Sequence, residues 1–208
     1  MQELINKIKN LINSEIKTQI DVRLSEFNEI KYQSINSIFK ELCFCVMTAN
    51  CSAVKCIEVH DSIGDGFLTF SEFQLVERFI DLGYRFPNVR SKYIIEARNK
   101  IPQLEKTMKS GNNGTKLREW IVKNIKGLGY KEASHFLRNI GYNDYAIIDF
   151  HIIDLLVNHN IIQKPKSLSK TKYLEIEKLL VKIGKEIKLN LAELDLYLWY
   201  LETGKILK

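Results

Sequence analysis

Two side chains of this 208-residue chain are best placed to do covalent chemistry: Lys131, just after a glycine-bracketed turn, and Asp149, eighteen residues later. Lys131 follows Gly127-Leu-Gly129 and falls in the first turn of a helix that starts near Tyr130. An amine there faces the positive end of the helix dipole, which opposes its cationic form and favours the nucleophilic one. Asp149 ends the run Ala146-Ile-Ile-Asp149, immediately before another helix. Together with Lys131 it strengthens the reading of the neighbouring hairpin as a DNA site. It is also well placed for a plain N-cap, and the two roles are compatible.

The elements around Lys131 have to present it. An amphipathic run ends near Asn124, Gly127 and Gly129 bracket Leu128, and a second helix follows. Leu128 can plug the gap between the helices, while the glycines permit positive φ and close backbone approach. Unpaired N–H groups at the start of the second helix then face outward towards any anion. This is the physical content of a helix–hairpin–helix that holds a DNA phosphate without reading sequence. An ordinary connector between two helices has the same outline. Between Lys116 and Lys131 five residues are basic and one is acidic, and between Lys164 and Lys188 eight lysines face three glutamates. The second cluster reads as a solvated helix face.

Composition sets the frame. Hydrophobic residues make up 45% and charged residues 27%, which excludes a disordered chain, a fibrous repeat and a membrane protein. No apolar run approaches the roughly 18 residues that span a bilayer. The start Met1-Gln-Glu-Leu-Ile lacks the basic-then-apolar order of a signal peptide, so an intracellular protein is expected. The formal charge of +6 permits a polyanionic partner without establishing one. Three prolines and ten glycines leave room for long helices.

Helical periodicity dominates and predicts an all-α fold of about ten helices. One stripe runs from Leu4 to Ile16 and another from Ile35 to Val46 behind a Ser34 cap. Ser71 and Ser169 read as further caps, and Gly111-Asn-Asn-Gly114 as a loop. Ala146-Ile-Ile is too short and isolated to build a sheet. Cys43, Cys45, Cys51 and Cys56 match no metal spacing and read as reduced, packed thiols. Asp61 to Glu72 mimics a calcium loop, but its third position is Ile63, which offers no oxygen. A turn at Asp65-Gly66 is the better reading. His60, His135, His151 and His159 show no metal spacing; His135, four residues after Lys131, reads as structural.

Taken together, these segments resemble the helix–hairpin–helix DNA glycosylase superfamily, and within it the type 2 8-oxoguanine DNA glycosylase/lyases. The likeness is carried by Leu42-Cys-Phe-Cys-Val-Met-Thr-Ala-Asn50, Ile63-Gly-Asp-Gly-Phe67, Tyr84-Arg-Phe86, Asn124 through Asn139, Ala146-Ile-Ile-Asp149 with His151, and Leu194 through Tyr200, ending at Lys208. The stretch from Asn124 to Asn139 is the most specific. One departure is Phe150, where the family usually has a basic residue. No C-terminal cysteine quartet is present, so the iron–sulfur branch of the superfamily is not indicated.

The resemblance implies an all-α helix–hairpin–helix glycosylase fold, with residues 1–208 as one unit, the motif at about 115–140, and two helical lobes flanking an active-site cleft. It implies a bifunctional repair enzyme that bends duplex DNA and flips out 8-oxoguanine. The Lys131 amine would attack the sugar C1′ and displace the base; the resulting Schiff base would permit strand cleavage by β-elimination. Asp149 would stabilise charge on the sugar and help move the amine proton. Phe86 and Trp199 would sandwich the flipped base, and Lys208, with its terminal carboxylate, would lie at the base edge. Gly127 and Gly129 would contact the DNA backbone, and Asn50 the gap left in the duplex or the orphaned cytosine. The expected partner is double-stranded DNA bearing 8-oxoguanine, with no membrane, no metal, no cofactor and a monomeric chain. A glycosylase for another damaged base, and a scaffold that only binds DNA, remain as alternatives.

Overall fold

The computed structural model describes residues 1–110 and 114–208. Among them are thirteen α-helices and no strand. The loop expected at Gly111-Asn-Asn-Gly114 falls, at 111–113, outside the described residues. The Leu4–Ile16 stripe divides into α1 (Gln2–Ile12) and α2 (Ile16–Ile30). α3 (Ile35–Thr48) starts at Ser34, whose Oγ accepts from the Ser37 N–H at 3.3 Å. It is buried from Glu41 to Thr48, so Cys43 and Cys45 pack into the core despite their two-residue spacing. Burial pushes both thiols well above the ordinary range. α4 (Ala53–Ile63), α5 (Gly66–Thr69), α6 (Glu72–Asp81), α7 (Pro87–Arg98) and α8 (Ile101–Lys109) follow. Ser71 caps α6 through a reciprocal box with Gln74. Asp65 pairs with Lys40 at 2.9 Å, and the carboxylates of the calcium-loop lookalike do not converge.

α9 (Gly114–Asn124) and α10 (Tyr130–Asn139) form the hairpin pair; α11 (Phe150–Asn158), α12 (Lys170–Ile187) and α13 (Leu191–Thr203) complete the chain. The apolar faces gather into two cores. One is continuous in sequence, from Ile38 on α3 to Tyr145. The other joins the two ends of the chain, α1 and α2 with α11, α12 and α13. α10 packs against α3 and α9 of the first core and α2 of the second. The helix that carries Lys131 therefore sits at the seam between the two lobes.

The chain crosses from the first core to the second along a buried extended strap, Ala146–Ile148. With no strand beside it, its main chain needs side-chain partners. The Tyr173 hydroxyl donates to the Ala146 carbonyl at 2.6 Å and accepts from the Ile148 N–H at 3.2 Å. Glu177 accepts from the Ala146 N–H at 3.1 Å and is itself held by Arg118 of α9 at 2.5–2.8 Å. The guanidinium of Arg118 is flanked by the rings of Tyr130, Tyr145 and Tyr173. Arg118, counted among the basic residues near the hairpin, is thus an internal strut rather than a DNA contact. The strut fixes the strap and so the place of Asp149 at its end.

The two hairpin glycines do different work. Gly127 has φ +84°, and a Cβ there would lie 2.6 Å from the Tyr93 ring. Gly129 has φ −86° and ψ −167°, an extended conformation open to any residue. Only the first exploits the left-handed region that glycine tolerates. Gly127→Ala is expected to cost about 1–3 kcal/mol, lowering the thermal midpoint by roughly 2–4 °C for each. An unchanged melting curve would show that the turn relaxes around a side chain. Leu128 is buried between the helices, as the plug reading requires.

Candidate active site

A cleft of about 750 Å³ opens between the lobes. That is within the range of small-molecule sites and large enough for a purine. α10 enters it with Lys131, Glu132, His135 and Arg138; the end of the strap brings Asp149; α13 contributes Asp195 and Trp199; the chain's last residues bring Leu207 and Lys208. Asn50 and Arg85 line the wall from the first lobe.

Lys131 is the second residue of α10, and its side chain is 22% exposed. The nearest carboxylate oxygen to its Nζ is Oε1 of Glu132, at 4.0 Å, the outer limit of an ion pair. Oε2 of Glu132 is turned back to accept from the Gly129 N–H at 3.2 Å. One of the N–H groups expected to await an anion is therefore occupied within the chain. Lys131 itself faces the cleft without a close counter-ion among the described residues.

Asp149 is the N-cap of α11, and its Oδ1 accepts from the Ile152 N–H at 3.0 Å. Its Oδ2 has no hydrogen bond among the described residues and is left to the cleft. The cap thus occupies one carboxylate oxygen and leaves the other available to the cleft.

The expected aromatic pair is split. Trp199 lines the cleft, with the His151 ring edge-on at 5.1 Å. Phe86 does not line it. It is the N-cap of α7, packs on the first core, and lies under the guanidinium groups of Arg85 and Arg90 at 5.0 and 5.7 Å. Phe150 does line the cleft; it is 67% exposed and its ring lies 3.9 Å from that of His151. Asn50 follows the end of α3 with φ +59°, a conformation asparagine tolerates better than most residues, and its carbonyl accepts from Arg85 at 3.3 Å. Lys208 lines the cleft, and its ammonium is directed to Glu41, at 2.9 Å, which does not line it.

Sequence reasoning missed a buried charged layer under the cleft. Arg138 pairs with Asp195 at 3.0 Å and lies over the Phe27 ring. Burial, reinforced by the negative charge of Asp149, pushes Asp195 up to about 6, against the pull of Arg138. His135 is buried, and burial together with Arg138 and Lys131 holds it well below the usual imidazole range, so it is neutral at pH 7. The available signal was a charge inside an otherwise apolar helical run, Asp195 within Leu194–Trp199.

The family described as 8-oxoguanine DNA glycosylase matches residues 20–189. An 8-oxoguanine DNA glycosylase/AP lyase of Methanocaldococcus jannaschii is 52% identical over 206 residues, covering 99% of each chain. One from Korarchaeum cryptofilum is 48% identical over 209 residues, covering 100% of this chain and 99% of that protein. A crystal structure of the Methanocaldococcus jannaschii glycosylase/lyase with a 15mer DNA containing 8-oxoguanine superposes with a TM-score of 0.96, covering 99% of this chain and 100% of that one. The 8-oxoguanine DNA glycosylase of Thermotoga maritima, 37% identical, superposes with a TM-score of 0.93 over 100% of this chain and 99% of that one.

Proposed function

Because the chain belongs to the 8-oxoguanine DNA glycosylase family, we propose that it excises 8-oxoguanine from duplex DNA and nicks the strand, with Lys131 as nucleophile and Asp149 as its electrostatic partner. The observation that carries the residue roles is the meeting of an amine without a close counter-ion and a half-used carboxylate in one interlobe cleft. The neutral amine of Lys131 attacks C1′ of the extruded nucleotide. The C1′–N9 bond breaks and its electron pair leaves with the base. Asp149 stabilises the positive charge on the sugar and accepts the amine proton. The C1′–O4′ bond then breaks, O4′ taking the proton that Asp149 accepted, and leaves a protonated Schiff base that acidifies C2′; the C2′ proton passes to the Asp149 carboxylate as the C3′–O bond breaks and its electron pair leaves with the 3′ phosphate. The hydrogen bond from the Ile152 N–H keeps the Asp149 carboxylate oriented throughout.

Trp199 offers one face for the flipped base, with stacking worth about 1–3 kcal/mol. Phe86 supplies the second face on this reading, which requires its ring to leave the core surface when DNA binds. 8-Oxoguanine differs from guanine at N7, a donor in the lesion and an acceptor in the normal base. The main-chain oxygens of Lys208 are fixed acceptors, suited to the lesion and repelled by guanine. The Gly127–Gly129 hairpin holds a backbone phosphate, and Asn50 lies towards the gap in the duplex. All these side chains come from one chain, so a monomer carries a complete site. Among the described residues no helix is long and apolar enough to cross a membrane.

A panel of duplexes, each with a different damaged base opposite cytosine, tests the function by borohydride trapping. A covalent complex is expected on the 8-oxoguanine duplex. Trapping only on another lesion would reassign the substrate, and none at all would leave a DNA-binding scaffold. In the same assay, deleting Lys208 is expected to reduce the preference for 8-oxoguanine over guanine by about 10–100-fold, the worth of one charge-assisted hydrogen bond. If the preference persists, Lys208 is not a recognition group.

A further inference from the structure

The Lys208 side chain is 16% exposed and ends against a carboxylate that is 8% exposed. Its Nζ lies 2.9 Å from Oε1 of Glu41, 3.3 Å from Nδ1 of His60 and 4.5 Å from the centre of the Phe44 ring. Glu41 and Phe44 belong to α3 and His60 to α4, both in the first lobe, whereas the tail leaves α13 of the second. The tail thus reaches across and is gripped by the opposite lobe.

Each part of the grip is itself fixed. Oε2 of Glu41 accepts from Nδ2 of Asn139 at 3.2 Å, so the carboxylate is oriented from α10, the helix that carries Lys131. Nε2 of His60 lies 3.0 Å from the Lys40 carbonyl, which makes Nε2–H the donor and leaves the Nδ1 lone pair facing Lys208. Burial, with the Lys208 charge adding to it, holds His60 below the usual imidazole range and so neutral. Its ring is stacked on Phe67 and edge-on to Phe44. The Phe44 ring also touches the edge of His135, which lies beside the main chain of Lys208. Buried ion pairs contribute little net stability against apolar substitutes, so the retention of one here points to placement rather than to folding energy.

We propose that Glu41 and His60 are positioning residues for base recognition: by clamping the Lys208 ammonium they set where the Lys208 main-chain oxygens stand in the cleft. The ammonium does not meet the base; it is the handle by which the acceptor is held. An acceptor free to swing would hold the lesion less firmly in its reactive pose, because the hydrogen bond from N7–H needs a lone pair fixed opposite it. This inference rests on the reading of Lys208 as a recognition residue.

The test uses the full chain with Glu41→Gln, Lys208→Met, the double variant and a Lys208 deletion. Two duplexes are compared under single-turnover conditions, one with 8-oxoguanine and one with an abasic site at the same position. The abasic substrate needs the Lys131 amine but presents no base to read. Glu41→Gln is expected to slow 8-oxoguanine excision about 10–100-fold, the range for a reacting group displaced by about 1 Å, while abasic-site incision stays at the parental rate. Lys208→Met keeps the main-chain oxygens and loses the handle, and is expected to slow excision equally. The double variant should lose no more than either single one, since all three break the same contact. Parental excision by Glu41→Gln, a parallel fall of its two activities, or additive losses would each overturn the clamp. If deletion of Lys208 leaves excision intact, the recognition reading itself fails; if deletion abolishes it while Glu41→Gln remains parental, only the clamp does.

Discussion

Lys131→Gln is expected to abolish the borohydride-trapped complex and to lower 8-oxoguanine excision by roughly 10⁴-fold or more, the scale on which loss of a covalent nucleophile is felt. Glutamine keeps a polar, unbranched stem one atom shorter, but its amide nitrogen has no lone pair able to form a Schiff base. Folding should be untouched. Lys131 is partly exposed and its one ion pair is at 4.0 Å, so the stability change should fall within about 0.5 kcal/mol. Removing a cation from the N-terminal turn of α10 is favourable with respect to the helix dipole. A melting curve that matches the parent, with trapping absent, is the informative pair of results. Trapping that persists would remove Lys131 from the nucleophile role and would turn attention to another amine on the cleft wall, such as Lys205.

Asp149→Asn separates the two roles of that side chain. Asparagine caps a helix as well as aspartate does, so the bond to the Ile152 N–H and the fold should survive. What disappears is the negative charge facing the cleft. Excision is expected to fall by roughly 10²–10³-fold, the usual loss when one preorganised electrostatic group is removed from a transition state. DNA binding should be retained or tightened, because an anion is withdrawn from a surface that meets phosphates. The comparison with Asp149→Ala sharpens the result: alanine should show the same catalytic loss plus about 1 kcal/mol of instability from the missing cap. Unchanged turnover in Asp149→Asn would leave capping as the residue's whole contribution.

Much of the site was legible because its signals are local. Gly127-Leu-Gly129 announces a turn, and Lys131 and Asp149 each stand at a helix start, which capping chemistry reveals without knowledge of the fold. The same logic found Ser34, Ser71 and Ser169, each of whose side chains accepts from the N–H three residues on. Where local signals misled, a distant contact had intervened. Arg118 counted as one of five basic residues near the hairpin, yet a glutamate 59 residues away draws it inside. Both hairpin glycines permit positive φ, but only Gly127 uses it, at φ +84°, while Gly129 is extended.

The amino-acid order by itself determined the all-helical class, the hairpin, and the pairing of one amine with one carboxylate, since periodicity, capping and turn chemistry act over a few residues. Only the tertiary structure decided that the two ends of the chain share a core, that a buried strap held by Tyr173 and Glu177 delivers Asp149 to the cleft, and that Lys208 is held by Glu41 across the lobes. The reason is physical. A buried charge must find its partner wherever the packing of apolar faces brings one, and that partner can lie, as with Glu41 and Lys208, 167 residues away.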